Sequence, residues 1–488
     1  MTCRRLSIRL RFDEDASESL SRGGFNSVLG KLSPGIATFV MNLLIGRIGG
    51  SAVLGTTQTV ISTASFASLA YPTPVSGALS RNLAVLNAKG QRQEAIALTR
   101  YVLNRVLFVS LLASALFGAI AAWQVGAATS TIMLTALMIF SVSLRAYTEA
   151  LHVGIGKTGR LAKAAFAIAC LSTVFILILL LLGLRSAWVL LPLILANIVF
   201  TLTSWPPPAK ASVPKTLRRQ ITVFVLISLF GTMASTGFQQ AGVLLAALHV
   251  GEEYTGNLAA AFSLTAPLLI LAAALSTVLF PALAVAHETR DKDLLRQRVD
   301  LATRMISLTV MGVSIPLIVL APQIVSFIWG DEFADAVWMM QVLSIGTAAT
   351  AIAAPSVSFI TSESNRGMIV SAVVSVGGAL AGVAAWFAMI GSDARTAIPL
   401  GLMIAATVTA GGSYAIAWLR LRTGWLIHTT VLTAFLAGAY GLASILAAQG
   451  THPLATLLYA IGLTALWGAV RWRDLRTTLR QLAVAFRR

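Results

Sequence analysis

Long apolar runs recur along almost the whole chain, and they constrain its fold more than any other feature. Fourteen can be marked, at residues 26–46, 53–80, 102–123, 129–152, 164–184, 186–205, 221–248, 257–284, 305–328, 335–360, 368–390, 397–419, 425–448 and 454–471. Each approaches the ~20 apolar residues that carry an α-helix across a bilayer. Backbone in hydrocarbon must satisfy its own hydrogen bonds, which leaves helices or a closed barrel. The runs are rich in Leu, Ala and Val and lack the alternation of a barrel strand, so the expected class is all-α: a polytopic membrane protein of about fourteen transmembrane helices. The first run follows a basic tail without a small-residue cleavage site, and it reads as a retained helix.

Only 11% of the 488 residues are charged and 57% are hydrophobic, a balance outside the range of soluble domains. Cys3 and Cys170 lie far apart in this layout, so neither a disulfide framework nor a thiolate metal pair is expected. No Gly-rich phosphate loop, no HExxH and no soluble stretch long enough for an ATPase domain is present. The expectation is a protein without cofactor or metal that is not an enzyme.

A net charge of +18 raises the question of nucleic acid, and the positions of the charges answer it. Of the 36 Lys and Arg residues, 33 fall in the two tails and in alternate loops; the other loops hold Arg47, Arg185 and Arg395. This is the positive-inside bias, which predicts cytoplasmic N and C termini. The excess is topological, and no nucleic-acid partner is expected. Glu252, Glu253, Asp331, Glu332, Asp335 and Asp393 fall in the expected outer loops.

The chain also repeats. "GGSAVLGTTQ" from Gly49 resembles "VGEEYTGNLA" from Val250, with Gly50 and Gly55 on Gly251 and Gly256, 201 residues later. Thr99 and Arg100 fall on Thr303 and Arg304, Gly126 on Gly330, and Arg160 on Arg366. The order of these matches and the slow drift of the offset indicate two pseudo-symmetric six-helix lobes of parallel orientation, with two further helices. The expected divisions are a basic tail at 1–25, an N-lobe at 26–206, a C-lobe at 207–420, a helix pair at 421–472 and a second basic tail at 473–488.

Polar residues within the runs form stripes. Ser27, Lys31, Thr38 and Asn42 share one face of the first helix, and Ser228, Thr232, Ser235 and Gln239 share one face of the seventh. Such stripes line a cavity or make hydrogen bonds between helices. Arg145, Glu149 and His152 lie on one face of the fourth helix, either as an i, i+4 ion pair or as substrate contacts. Arg47 sits at an expected outer end, where it could snorkel to the interface.

Three stretches carry a family resemblance: "IGRIGGSAVLGTTQTVISTASFASL", "YTGNLAAAFSLTAPLLILAAALSTVLFPALA" from Tyr254, and "APQIVSFIWGDEFADAVWMMQVLSI" from Ala321. The sequence resembles the multidrug/oligosaccharidyl-lipid/polysaccharide (MOP) exporter superfamily, and within it the bacterial O-antigen type polysaccharide flippases. That resemblance implies a two-lobed transporter with a central, often cationic cavity. Its implied task is to move an undecaprenyl-pyrophosphate-linked sugar from the cytoplasmic to the outer leaflet of the cell membrane. It makes Lys31, Arg47 and Arg145 candidate anion contacts, with Asn42, Gln58, Gln239 and Gln240 facing sugar and Glu149 beside Arg145. Implied partners are the lipid-linked saccharide, membrane lipids, and a polymerase and glycosyltransferases of the same pathway. A lipid II flippase or multidrug antiporter of the same superfamily is the alternative, and a non-transporting membrane scaffold a third. The chain departs from these in having no acid in its first or seventh helix and none in "TTQTV".

Overall fold

In the computed structural model, all regular structure among the described residues is helical. These residues are 35–125, 129–206, 212–288, 292–363, 365–421, 425–450, 452–472, 474 and 476. The helices are α1 (Gly35–Gly49), α2 (Ser51–Leu69), α3 (Pro72–Ala88), α4 (Arg92–Val125), α5 (Thr129–Gly154) and α6 (Thr158–Leu181). They continue with α7 (Ala187–Thr203) and α8 (Lys215–His249), then α9 (Glu252–Glu288), α10 (Lys292–Val319), α11 (Ala321–Ile328) and α12 (Asp335–Glu363). The last four are α13 (Asn365–Met389), α14 (Ala394–Leu421), α15 (Trp425–Ala448) and α16 (Pro453–Val470).

Every expected run has its counterpart. Eleven helices among the described residues are long and apolar enough to cross a membrane, and α1 and α7 are shorter apolar helices. The chain is a multi-pass membrane protein. Two runs expected as single helices are broken. Residues 53–80 divide into α2 and α3 at Ala70–Tyr71, because Pro72 and Pro74 lack the N–H that would continue the ladder and suit a first turn instead. Residues 305–328 divide at Leu320, where Pro322 opens α11. Other helices outrun their apolar cores. At ~1.5 Å per residue, the 34 residues of α4 extend about 50 Å, against a hydrocarbon core of ~30 Å. Its polar first turns carry Arg92, Arg100 and Arg105.

Contacts divide the chain into two compact units. The first comprises the chain through Met41 together with Thr57–Ala241, and the second Asn42–Thr56 with Gly242 onward. In the first unit α5 is central, packing on α3, α4 and α7, while α6 lies against α7 and α3 also meets α8. Val75, Leu79, Leu83, Leu98, Val102 and Leu151 form the dry centre of this packing. The Tyr147 hydroxyl donates to the Thr99 carbonyl at 3.3 Å.

In the second unit α12 is central, packed on α9, α10, α13 and α14. The two last helices, α15 and α16, dock on α10, with Trp467 inserted into the core. Arg304 and Arg100, equated by the repeat, are each pinned by partners from elsewhere in the chain. Arg304 pairs with Asp300 at 2.9 Å and Asp474 at 3.4 Å. Arg100 donates to the Pro206 carbonyl at 3.3 Å and lies over Trp205.

Candidate functional site

Two polar constructions stand out in this apolar protein, one in each unit. In the first unit, α5 and α7 meet along a polar seam. Arg145 Nε donates to Glu149 at 2.8 Å, and its Nη1 reaches the Asn197 side-chain oxygen at 3.5 Å. One turn on, the Thr148 and Thr201 hydroxyls meet at 2.9 Å, and His152 stacks on Phe200 with ring centroids 5.4 Å apart. Asn197, Thr148 and Thr201 are buried. Arg145 and Glu149 keep 28% and 42% of their side chains exposed, so the pair is open to a ligand. A guanidinium carries five N–H donors, and these contacts engage two.

The i, i+4 spacing made Arg145 and Glu149 legible as a pair. Asn197 was missed, although a lone amide in "LLPLILANIVF" was a usable signal. An amide in hydrocarbon needs a partner.

The second unit holds a knot built on the glycine turns. Gly50, Gly251 and Gly330 have φ of +91°, +118° and +94°, a region that glycine enters without strain. The turn at Gly50 brings Ser51 to Glu332, whose carboxylate accepts from the Ser51 backbone N–H at 2.8 Å and from its hydroxyl at 2.7 Å. These donors hold the Glu332 carboxyl below the usual glutamate range. Arg47, on the π-helical last turn of α1, donates through Nε to the Ile328 carbonyl at 2.7 Å and through Nη2 to that of Phe327. It thus caps α11, whose last carbonyls have no partner within the helix. Beside the knot lies a cavity of about 630 Å³ whose walls include Glu252, Glu253, Glu332 and Asp335. Arg395 is its cation and pairs with Asp335 at 3.5 Å.

The remaining candidates are spread among these elements. Asn42 is buried in the second unit and donates to the Ser263 hydroxyl of α9 at 3.0 Å, a bond between helices. Gln58 donates to Ser62 at 3.4 Å on its own helix in the first unit. Gln239 and Gln240, also in the first unit, are half-buried just after the π-helical turn Met233–Gly237. In the polar stripe of α8, the Thr232 and Ser235 hydroxyls bond back to carbonyls of their own helix. Lys31 and Ser27 lie outside the described residues.

Residues 106–338 match a family described as "Polysaccharide biosynthesis protein". No curated protein matches the sequence. Among solved structures, the chain is similar to the lipid II flippase MurJ in an inward closed conformation, with a TM-score of 0.66 at 12% identity. That match covers 92% of this chain and 98% of the other. An inward-facing multidrug resistance transporter of the MATE family aligns with a TM-score of 0.58 at 16% identity, covering 81% and 94%. A MOP superfamily transporter from Pyrococcus furiosus aligns with a TM-score of 0.51 at 14% identity, covering 86% and 99%. Taken with the all-helical membrane architecture, these likenesses show that the chain has the fold of these transporters.

Proposed function

We propose that the chain flips a lipid-linked oligosaccharide, carried on a polyprenyl pyrophosphate of the undecaprenyl type, from the cytoplasmic to the outer leaflet of the cell membrane. The observation that carries this reading is the match of residues 106–338 to a polysaccharide-biosynthesis family, in a chain whose fold is that of lipid and drug exporters. Neither a sugar nor a pyrophosphate crosses hydrocarbon unaided, because each would leave polar groups unsatisfied there. A transporter that alternates between inward-open and outward-open states shelters the head group while the tail stays in lipid.

Arg145 supports the proposal chemically. It is a partly exposed guanidinium with donors to spare, and its planar fork suits phosphate oxygens. The charge bias puts this residue near the cytoplasmic ends of its helices, where the substrate would load. The charge bias puts the acidic cavity beside Glu332 on the outer side, where it would disfavour rebinding of a released anion. Net negative charge moving outward is assisted by an inside-negative potential, at ~2.3 kcal/mol per charge per 100 mV. A polymerase and glycosyltransferases would act on either side of the step.

Reconstitution into vesicles tests the proposal. The purified protein is expected to move a polyprenyl-pyrophosphate saccharide to the opposite leaflet, where an added lectin or glycosidase reaches it. Movement of lipid II alone would favour the reading suggested by the MurJ likeness. Efflux of drugs on a cation gradient would favour an antiporter, and movement of none of these would leave a scaffold.

A further inference from the structure

The lipid-facing side of the first unit carries a groove that the head-group chemistry above does not use. It runs between α6 and α7, encloses about 600 Å³ and is lined almost wholly by hydrocarbon. Its rims are Leu171, Phe175, Leu195 and Val199, which are 56%, 48%, 52% and 58% exposed. Its floor is kept low by the small residues Ala164, Ala167 and Ala196. The one polar side chain midway, Ser172, turns its hydroxyl onto the Ile168 and Ala169 carbonyls of its own helix. Nothing polar is therefore left unsatisfied in the groove.

Length and charge select the occupant. From Ala164 to Leu179 the groove follows α6 for about 22 Å at ~1.5 Å per residue. One leaflet contributes about 15 Å of a ~30 Å hydrocarbon core, so the groove has room for a chain longer than one leaflet holds. Arg160 precedes Ala164 by four residues, which sets it on the groove's own face of α6, and Lys157 is the N-cap residue of that helix. Arg160 is exposed, and no acid occurs between residues 158 and 203. The groove thus ends in cations at the side that the charge bias assigns to the cytoplasm, and Arg185 lies beyond its other end.

We propose that the α6–α7 groove seats the isoprenoid tail of a polyprenyl phosphate lipid, with Lys157 and Arg160 holding the phosphate. The inference rests on the proposed function and supplies it with a docking track for the tail.

The test is photolabelling of the full chain in nanodiscs with a polyprenyl phosphate bearing a diazirine in its tail, mapped by mass spectrometry. Label is expected to concentrate in residues 164–179 and 191–203. It should fall at least fivefold in Lys157→Glu/Arg160→Glu, and comparably in Ala167→Trp, which fills the floor. The charge variant lies on the surface and keeps the test valid should the tryptophan disturb folding. Label spread evenly over other lipid-facing positions, such as Val373 and Leu380 of α13, would overturn the inference. So would equal displacement by phosphatidylglycerol, which would mark the groove as an ordinary lipid contact. A chain that flips the sugar lipid but does not label here refutes the groove alone. A chain that labels here but flips nothing keeps the groove and refutes the flippase.

Discussion

Arg47 is an isolated cation in the sequence and a helix cap in the structure. Its two bonds satisfy the carbonyls of Phe327 and Ile328, and removing them leaves those exposed acceptors to water. Arg47→Ala is expected to cost about 0.5–1.5 kcal/mol, seen as a lower Tm in detergent with an unchanged transport KM. A raised KM at unchanged Tm would instead mark Arg47 as a substrate contact. Glu332 makes a pH-dependent counterpart. Its pKa in the folded state lies below its ordinary value, so its contribution is present above about pH 4.5 and is lost as pH falls through the folded-state value. Glu332→Gln should therefore be less stable than the parent near neutrality, by about 1 kcal/mol for a largely exposed charge-assisted bond. The difference should close as pH falls through the lowered folded-state value, as thermal melts in acid would show. Glu149 competes with any anion for Arg145. Glu149→Gln is expected to lower the KM for a pyrophosphate lipid severalfold, and Arg145→Ala to raise it at least tenfold, both at unaltered membrane levels.

At the scale of elements, the repeat acquires a physical meaning. Gly55 and Gly256, aligned by the 201-residue offset, face each other where α2 and α9 begin. A Cβ on Gly55 would lie 1.8 Å from the Glu252 carbonyl oxygen, and one on Gly256 would lie 2.0 Å from that of Ser51. The contacts are reciprocal, as two-fold related elements make them. Backbone meets backbone here, so no side chain can yield. Gly55→Ala or Gly256→Ala should force the helix starts apart at about 1–3 kcal/mol, with lower yield in the membrane and a lower Tm, whereas Gly312→Ala, with open space around its Cβ position within α10, should leave membrane yield intact. The glycines were legible as a repeated pattern, but their mutual contact was not, because spacing along a chain carries no information on which turns meet. Helix existence was legible almost throughout. The breaks at Pro72 and Pro322 were missed because apolar character continues across both, while the backbone ladder does not.

For the whole molecule, the charge bias makes a prediction about orientation. In a background without Cys3 and Cys170, Ser392→Cys should react with a membrane-impermeant thiol reagent in intact cells. Gln91→Cys should react only after permeabilisation. The reverse pattern would invert the topology. The sequence by itself determined the helical membrane class, the number of apolar runs, the charge asymmetry and the repeat, because transfer into hydrocarbon and helical periodicity act on local composition. Only the tertiary structure decided that Arg47 caps α11, that Asn42 bonds Ser263, and that Asn197 completes the Arg145–Glu149 seam. Those outcomes depend on which helix ends and faces meet, and distant segments become neighbours only when the chain packs.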